Sequence, residues 1–264
     1  MRVRIIFNLK NKGSYVPFHH QYLLAQLIKG IILKGKNPQY KDFSFYNFSG
    51  LKGQTKISRN GLHFYSSKVT LVFSCADQEF VNYFLKNLFE LTQIEIGNLS
   101  LQPDSVELEQ KPVLVEAMKY ICISPIVLLT PNFYDDQGKK FINPETDQFS
   151  DLLYETTMNR MEQSGMFTAE QLTSFFKFQF VPDKDYLFKI KDTQKKFARI
   201  YPLYDQDVKY EIRGYTLPFT LYAAPEVQQF LFTHGMGLYA HKGFGMLDIA
   251  NSDPSQRTTA YSFE

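Results

Sequence analysis

The stretch "VPFHHQYLLAQLIKGII" (Val16–Ile32) sets an imidazole, a phenol and an ammonium at helical spacing. At 100° per residue, His19, Tyr22, Gln26 and Lys29 fall within about 80° of one another. They lie opposite a stripe made by Leu23, Leu24, Leu27, Ile28, Ile31 and Ile32. Such a set can move protons and offset negative charge. The same strip also describes the solvated face of an ordinary amphipathic helix, so both readings stay open. His20 points nearer the apolar side, where a histidine packs as readily as it reacts.

A second pattern closes the chain. "HGMGLYAHKGFGML" (His234–Leu247) spaces Gly235, Gly237, Gly243 and Gly245 around His241 and Lys242. It follows a helical pattern and leads into a strand. A dinucleotide fingerprint instead opens a helix after the first strand, and a phosphate-binding P-loop ends in Gly-Lys-Ser/Thr, so neither applies. What remains is a helix cap with a bulged turn, or a loop whose exposed N–H groups receive phosphates. The run "KIKDTQKKFAR" carries Lys189, Lys191, Lys195, Lys196 and Arg199, and "KYEIR" carries Arg213. Cations interleaved with Phe and Tyr suit phosphate contact with base stacking, and they equally keep a β-hairpin soluble.

The rest of the chain must position these groups. With 264 residues, 44% of them hydrophobic, and 25 Phe and 17 Tyr, there is material for one large domain or two small ones. A net charge of +2 neither demands nor excludes an anionic partner. Cys75 and Cys122 lack metal-ligand spacing, and no cluster of carboxylates, Cys and His suggests a metal or cofactor, so none is expected. The opening "MRVRIIFNLK" is no signal peptide, and no apolar run approaches the roughly 20 residues of a membrane helix, which predicts a cytoplasmic protein.

Period-two alternation predicts strands at Arg2–Leu9, Ser66–Ser74 and near Leu99–Leu108. Helices are expected over the His19–Lys34 region and over "DQEFVNYFLKNLFELT". The order βαββαβ then recurs: a β run at Tyr120–Leu129, a polar helix at Gln148–Gln163, strands around "FKFQFV", "YLFKIK", "FARIYPLY" and "YEIRGYTLPFTLY", a helix in "APEVQQFLFTHG", and a strand in "KGFGMLDIA". The architecture predicted is α+β, two tandem ferredoxin-like domains at residues 1–118 and 119–250, with a loose tail at 251–264.

At this point a resemblance adds to the pattern. "GMGLYAHKGFGM" is similar to the C-terminal glycine-rich signature of the RAMP superfamily. "VPFHHQYLLAQLIKGII", "SPIVLL" and "EIRGYTLPFTLYAAPEVQQFLFTHGMG" resemble, in order along essentially the whole chain, the CRISPR-associated endoribonucleases of the Cas-six family. The resemblance implies metal-independent cleavage of CRISPR repeat RNA, release of guide RNAs for a type I or III effector, and room for a homodimer. It also implies that the glycines let the RNA backbone lie against the main chain.

The implied reaction turns a ribose 2′-OH on its own phosphate, leaving a 2′,3′-cyclic phosphate and a 5′-OH. Many members place a Tyr on the first helix and a His with a Lys after it. Here Lys29 holds the helix position, Phe45 or Tyr46 stands where the His falls, and Lys52 keeps the Lys, with Lys56 nearby. The resemblance implies Lys29, Tyr46 and Lys52, and a His that the family often has at His20; with His19 and Tyr22 from the helical strip, these six are the catalytic candidates. Two further readings remain: a RAMP-fold protein that holds CRISPR RNA without cutting it, and a tandem ferredoxin-like enzyme acting on small molecules.

Overall fold

The computed structural model describes residues 1–130, 137–191, 193, 195–205 and 208–263. Asp192 and Gln194 of the basic run, and Glu264 of the tail, lie outside the described residues. The chain divides into two compact units. The first comprises Met1–Lys111, His241–Gly243 and Asp253–Glu264, and the second Pro112–Ala240 and Phe244–Ser252. The boundary thus falls between residues 111 and 112, ahead of the one expected at 118.

The first unit runs β1 (Arg2–Leu9), β2 (Tyr15–Val16), α1 (Gln21–Lys34), β3 (Tyr46–Phe48), β4 (Thr55–Ile57), β5 (Leu62–Phe64), β6 (Lys68–Cys75), α2 (Gln78–Phe89), β7 (Ile94–Ile96) and β8 (Leu99–Glu109). Alternation in β1 buries Val3, Ile5, Phe7 and Leu9, and β1 pairs with both β6 and β8. Onto this sheet α1 lays Leu24, Ile28, Ile31 and Ile32, and α2 lays Phe80, Val81, Phe84, Leu85 and Leu88. Asp77 starts α2 by accepting the Phe80 N–H at 3.0 Å.

The second unit runs β9 (Ala117–Cys122), β10 (Ile126–Val127), α3 (Asp147–Gln163), α4 (Ala169–Ser174), β11 (Phe178–Pro182), α5 (Lys184–Lys191), β12 (Ala198–Asp205), β13 (Val208–Tyr215), β14 (Phe219–Ala223), α6 (Pro225–His234) and β15 (Leu247–Ile249); β16 (Thr258–Ala260) returns to the first. The two main sheets have equivalent orders, β8-β1-β6-β3 and β15-β9-β14-β11. Each has the first strand of its βαββαβ set beside the last and the third. Two tandem ferredoxin-like arrangements result, as the element order predicted. The β12–β13 hairpin, with β10, is an addition to the second.

Three local expectations are corrected. "YLFKIK" is helix α5, not a strand. Asp183 accepts the Tyr186 N–H at 2.8 Å as a cap, and Leu187 and Ile190, three apart, are the buried pair. "YEIRGYTLPFTLY" is two strands in different sheets, because Pro218 cannot donate to a ladder. The tail is not loose: β16 pairs with β8, Tyr261 Oη donates to Asn82 Oδ1 at 2.6 Å, and Phe263 lies against Phe89. It pairs with the last three residues of β8, Glu107–Glu109, while β7 pairs with Leu99–Leu101 of the same strand, so less of the β8 edge is left open.

Candidate functional site

In the first unit, the chain turns at residues 18–20 and α1 begins at Gln21, so His19 and His20 precede the helix rather than ride on it. Tyr22, Gln26 and Lys29 do share its polar face, and Tyr22 and Lys29 are half-buried. Tyr22 and Lys29 are separated by about 10 Å along the axis at 1.5 Å per residue. Lys29 Nζ donates to the carbonyl of Lys41, which fixes it toward the segment after the helix.

His20 is buried, with its Nδ1 3.1 Å from the Pro17 carbonyl and its Nε2 accepting the Leu51 N–H at 3.2 Å. Burial pushes its pKa down to about 4, so the ring is neutral at physiological pH. Its partners assign the proton to Nδ1. Both nitrogens are engaged, which makes His20 a pin and corrects its place among the proton-transfer candidates. The pin has a consequence: it holds Gly50-Leu51-Lys52 against the start of α1, and a Cβ at Gly50 would lie 3.4 Å from His20 Nε2. His19 and Lys52, each one residue from a pinned partner, are thereby brought to the same end of the unit.

Lys52 is half-buried and exchanges two backbone hydrogen bonds with Thr70, at 2.8 and 2.9 Å. Lys56 is exposed on β4, with its ammonium 5.1 Å from the Tyr65 ring. Tyr46 is a core residue, stacked on Phe73 and Phe80 at 5.6 and 5.5 Å, and burial raises its phenol pKa. That corrects its expected contact with a phosphate. The ring of His241 packs edge-on to Tyr46 at 6.5 Å, and Gly243 lies on Phe48 so closely that a Cβ would enter the ring. His241 and Lys242, both half-buried, thus sit along β3, the strand that leads into Gly50–Lys52.

In the second unit, Gly235, Gly237 and Gly245 are buried and have positive φ. At Gly237 and Gly245 the reason is internal. A Cβ on Gly245 would overlap the Met236 carbonyl oxygen, and the Gly245 N–H is spent on Pro125 at 2.7 Å. Met236 N–H donates to Gly245 at 2.8 Å and Leu238 N–H to Val127 at 2.9 Å. Gly237 and Gly245 thus admit the protein's own backbone, where an approach of RNA was expected.

One residue escaped the sequence reading. Arg160 on α3 donates to the carbonyls of His234, Gly235 and Gly237 at 2.6–2.9 Å and faces the Phe230 ring at 5.7 Å. Burial lowers its pKa to about 10, so it remains a cation. The available signal was position: Arg160 follows Leu153 by seven residues on the buried face of α3.

Of the predicted basic residues, Lys189, Lys191, Lys195, Lys196 and Arg199 are exposed. Lys191, Lys195, Lys196 and Arg213 line one cavity; Lys189 and Arg199 do not. Among the described residues, no three His, Cys, Asp or Glu side chains group as metal ligands, and no helix is long and apolar enough to cross a membrane.

Known proteins resemble this chain in sequence and in fold. A family model described as CRISPR associated protein Cas6, C-terminal, matches residues 108–249, more than half the chain. The CRISPR-associated endoribonuclease Cas6 1 of Methanocaldococcus jannaschii is 26% identical over 202 residues, covering 73% of this chain and 76% of that one. A solved structure for a Cas6-related gene from Pyrococcus furiosus has a TM-score of 0.77 at 20% identity, covering 96% of this chain and 99% of that one. Another, described as an RAMP protein binding different RNA substrates, has a TM-score of 0.76 at 19% identity, covering 95% and 100%. At those identities the two structures speak for the fold.

Proposed function

The chain belongs to the CRISPR-associated protein Cas6 family, and from that premise we propose that it is an endoribonuclease that cuts CRISPR repeat RNA without a metal ion. The ribose 2′-O bonds to its adjacent phosphorus while the 5′-oxygen leaves, giving a 2′,3′-cyclic phosphate and a 5′-OH. One group must take the 2′-OH proton, another must protonate the leaving oxygen, and a cation must offset charge on the phosphorane.

The observation that supports the reading is the His20–Leu51 hydrogen bond, which ties the residue after His19 to the residue before Lys52. His19 is assigned proton transfer, with Tyr22 orienting the phosphate and Lys52 meeting its charge. His241 and Lys242 are assigned to flanking RNA. Lys29, turned to Lys41, and exposed Lys56 are assigned to RNA farther from the scissile bond.

The test is single-turnover cleavage of the cognate repeat RNA, with and without EDTA, at saturating protein. Product ends should carry the cyclic phosphate. His19→Ala should slow cleavage by roughly 10²–10⁴-fold with affinity nearly intact. Lys52→Ala should lower both rate and affinity, because its charge serves bound RNA and transition state alike. Activity abolished by EDTA and restored by magnesium overturns the mechanism. RNA bound tightly and never cut overturns the endoribonuclease assignment.

A further inference from the structure

Resting on that reading and deepening it, we propose that the cavity beside the β12–β13 hairpin of the second unit captures one unpaired nucleobase of the RNA. The cavity measures about 520 Å³. That lies within the roughly 300–1,000 Å³ of small-ligand pockets, the scale of a nucleotide and too small for a duplex. Its floor is apolar, with Leu187 and Ile190 of α5 and the rings of Phe141 and Phe197. Four cations also line it, Lys191, Lys195, Lys196 and Arg213, beside the neutral Asn143, Thr193 and Ala198. Among the described lining residues Glu145 is the one acid. A flat apolar surface rimmed by positive charge matches a base carried on a phosphate backbone.

The ring that would carry the base is held in place beforehand. Phe141 is 48% exposed, unusual for a phenylalanine with three neighbours around it. Phe197 and Tyr215 each lie 6.1 Å from it, at 60° and 40°, and the Arg213 guanidinium is 5.8 Å from its centroid. Arg213 is fixed in turn, since its Nε–H donates to the Lys139 carbonyl at 2.7 Å and Lys139 Nζ meets Glu211 at 2.9 Å. A base laid on the open face of Phe141 therefore meets a surface with little left to order. Stacking needs the base out of a helix, which selects a single-stranded segment over the paired stem of a hairpin.

The test places 2-aminopurine singly at unpaired positions of the repeat RNA and follows its fluorescence and the affinity together. In the wild type, one position should be quenched on binding. Phe141→Ala should abolish that quenching and weaken affinity by about tenfold or more, the usual cost of one lost base–aromatic stack. Phe141→Trp should keep both. Phe176→Ala, removing a 70% exposed ring that does not line the cavity, should change neither. If Phe141→Ala does not fold, Lys195→Glu with Lys196→Glu replaces it, and the same weakening is expected. A wild type that cuts repeat RNA while the cavity variants bind and quench normally overturns the pocket alone. A wild type that neither binds nor cuts overturns the functional reading and the pocket with it.

Discussion

Each unit fixes one helix end with one side chain, and the two side chains differ in charge. At the N-terminus of α1 the group is His20, neutral, between a carbonyl and an N–H. At the C-terminus of α6 it is Arg160, cationic, on three carbonyls. The partners dictate the choice. A neutral imidazole offers one donor and one acceptor, whereas a guanidinium offers donors only. The helix dipole agrees, since its negative end welcomes a cation and its positive end resists an imidazolium. Burial raises the stakes of both choices, because a polar group withdrawn from solvent costs free energy once it loses its partner.

Removing the cation should be the more costly break. Arg160→Met leaves three carbonyls without their donor, and it should destabilise by roughly 3–5 kcal/mol, read by urea denaturation. Arg160→Lys should recover part of this, since an ammonium keeps the charge but cannot reproduce the planar fork. If Arg160→Met costs under about 1 kcal/mol, the carbonyls find other donors and the contrast between the two pins collapses.

The loop that Arg160 holds gives the next test. Gly245→Ala puts a methyl group onto the Met236 carbonyl at a φ of +74°. Gly165 has a similar φ of +65°, yet nothing lies within 4 Å of a Cβ there. Gly165→Ala should therefore show left-handed strain alone, roughly 1 kcal/mol, and Gly245→Ala about 2–3 kcal/mol. Equal losses, measured in the same denaturation assay, would mean that conformation and not close approach makes Gly245 a glycine.

The same contrast explains what could be read in the sequence. Local periodicity revealed both βαββαβ sets and the inward faces of α1 and α2, because each signal is complete within a dozen residues. The pins were hidden because their partners are distant: Leu51 is 31 residues from His20, and Gly235 is 75 from Arg160. The four glycines were conspicuous, but spacing cannot say whose backbone approaches them. The "YLFKIK" run misled because its aromatic and β-branched residues favour a strand, while the Asp183 cap and tertiary burial of Leu187 and Ile190 favour a helix. Of the candidate site, His19 was read from helical spacing and Lys52 from the family resemblance, and the His20–Leu51 contact between their chain neighbours was not legible at all.

The smallest effect is a slope. The folded state holds His20 near pKa 4, while an unfolded histidine titrates near 6.5. Above 6.5 both states carry a neutral ring, and the site contributes fully. As pH falls from 6.5 toward 4, the unfolded chain takes up a proton that the folded one refuses, so stability is lost through that window and levels off below it. The slope contributed is at most about 1.4 kcal/mol per pH unit. His234, buried and also held near pKa 4, adds a parallel loss, so the wild-type curve alone cannot isolate His20. His20→Gln can, since an amide keeps one donor and one acceptor but does not titrate here. At pH 7.5 the variant should lose about 1 kcal/mol from imperfect geometry. Between pH 6.5 and 4.5 its stability should fall less steeply than that of the wild type, so the two curves converge. Parallel curves across the window would show that the folded state takes up a proton at His20 over the same pH range as the unfolded chain, and the neutral half of the comparison would be wrong.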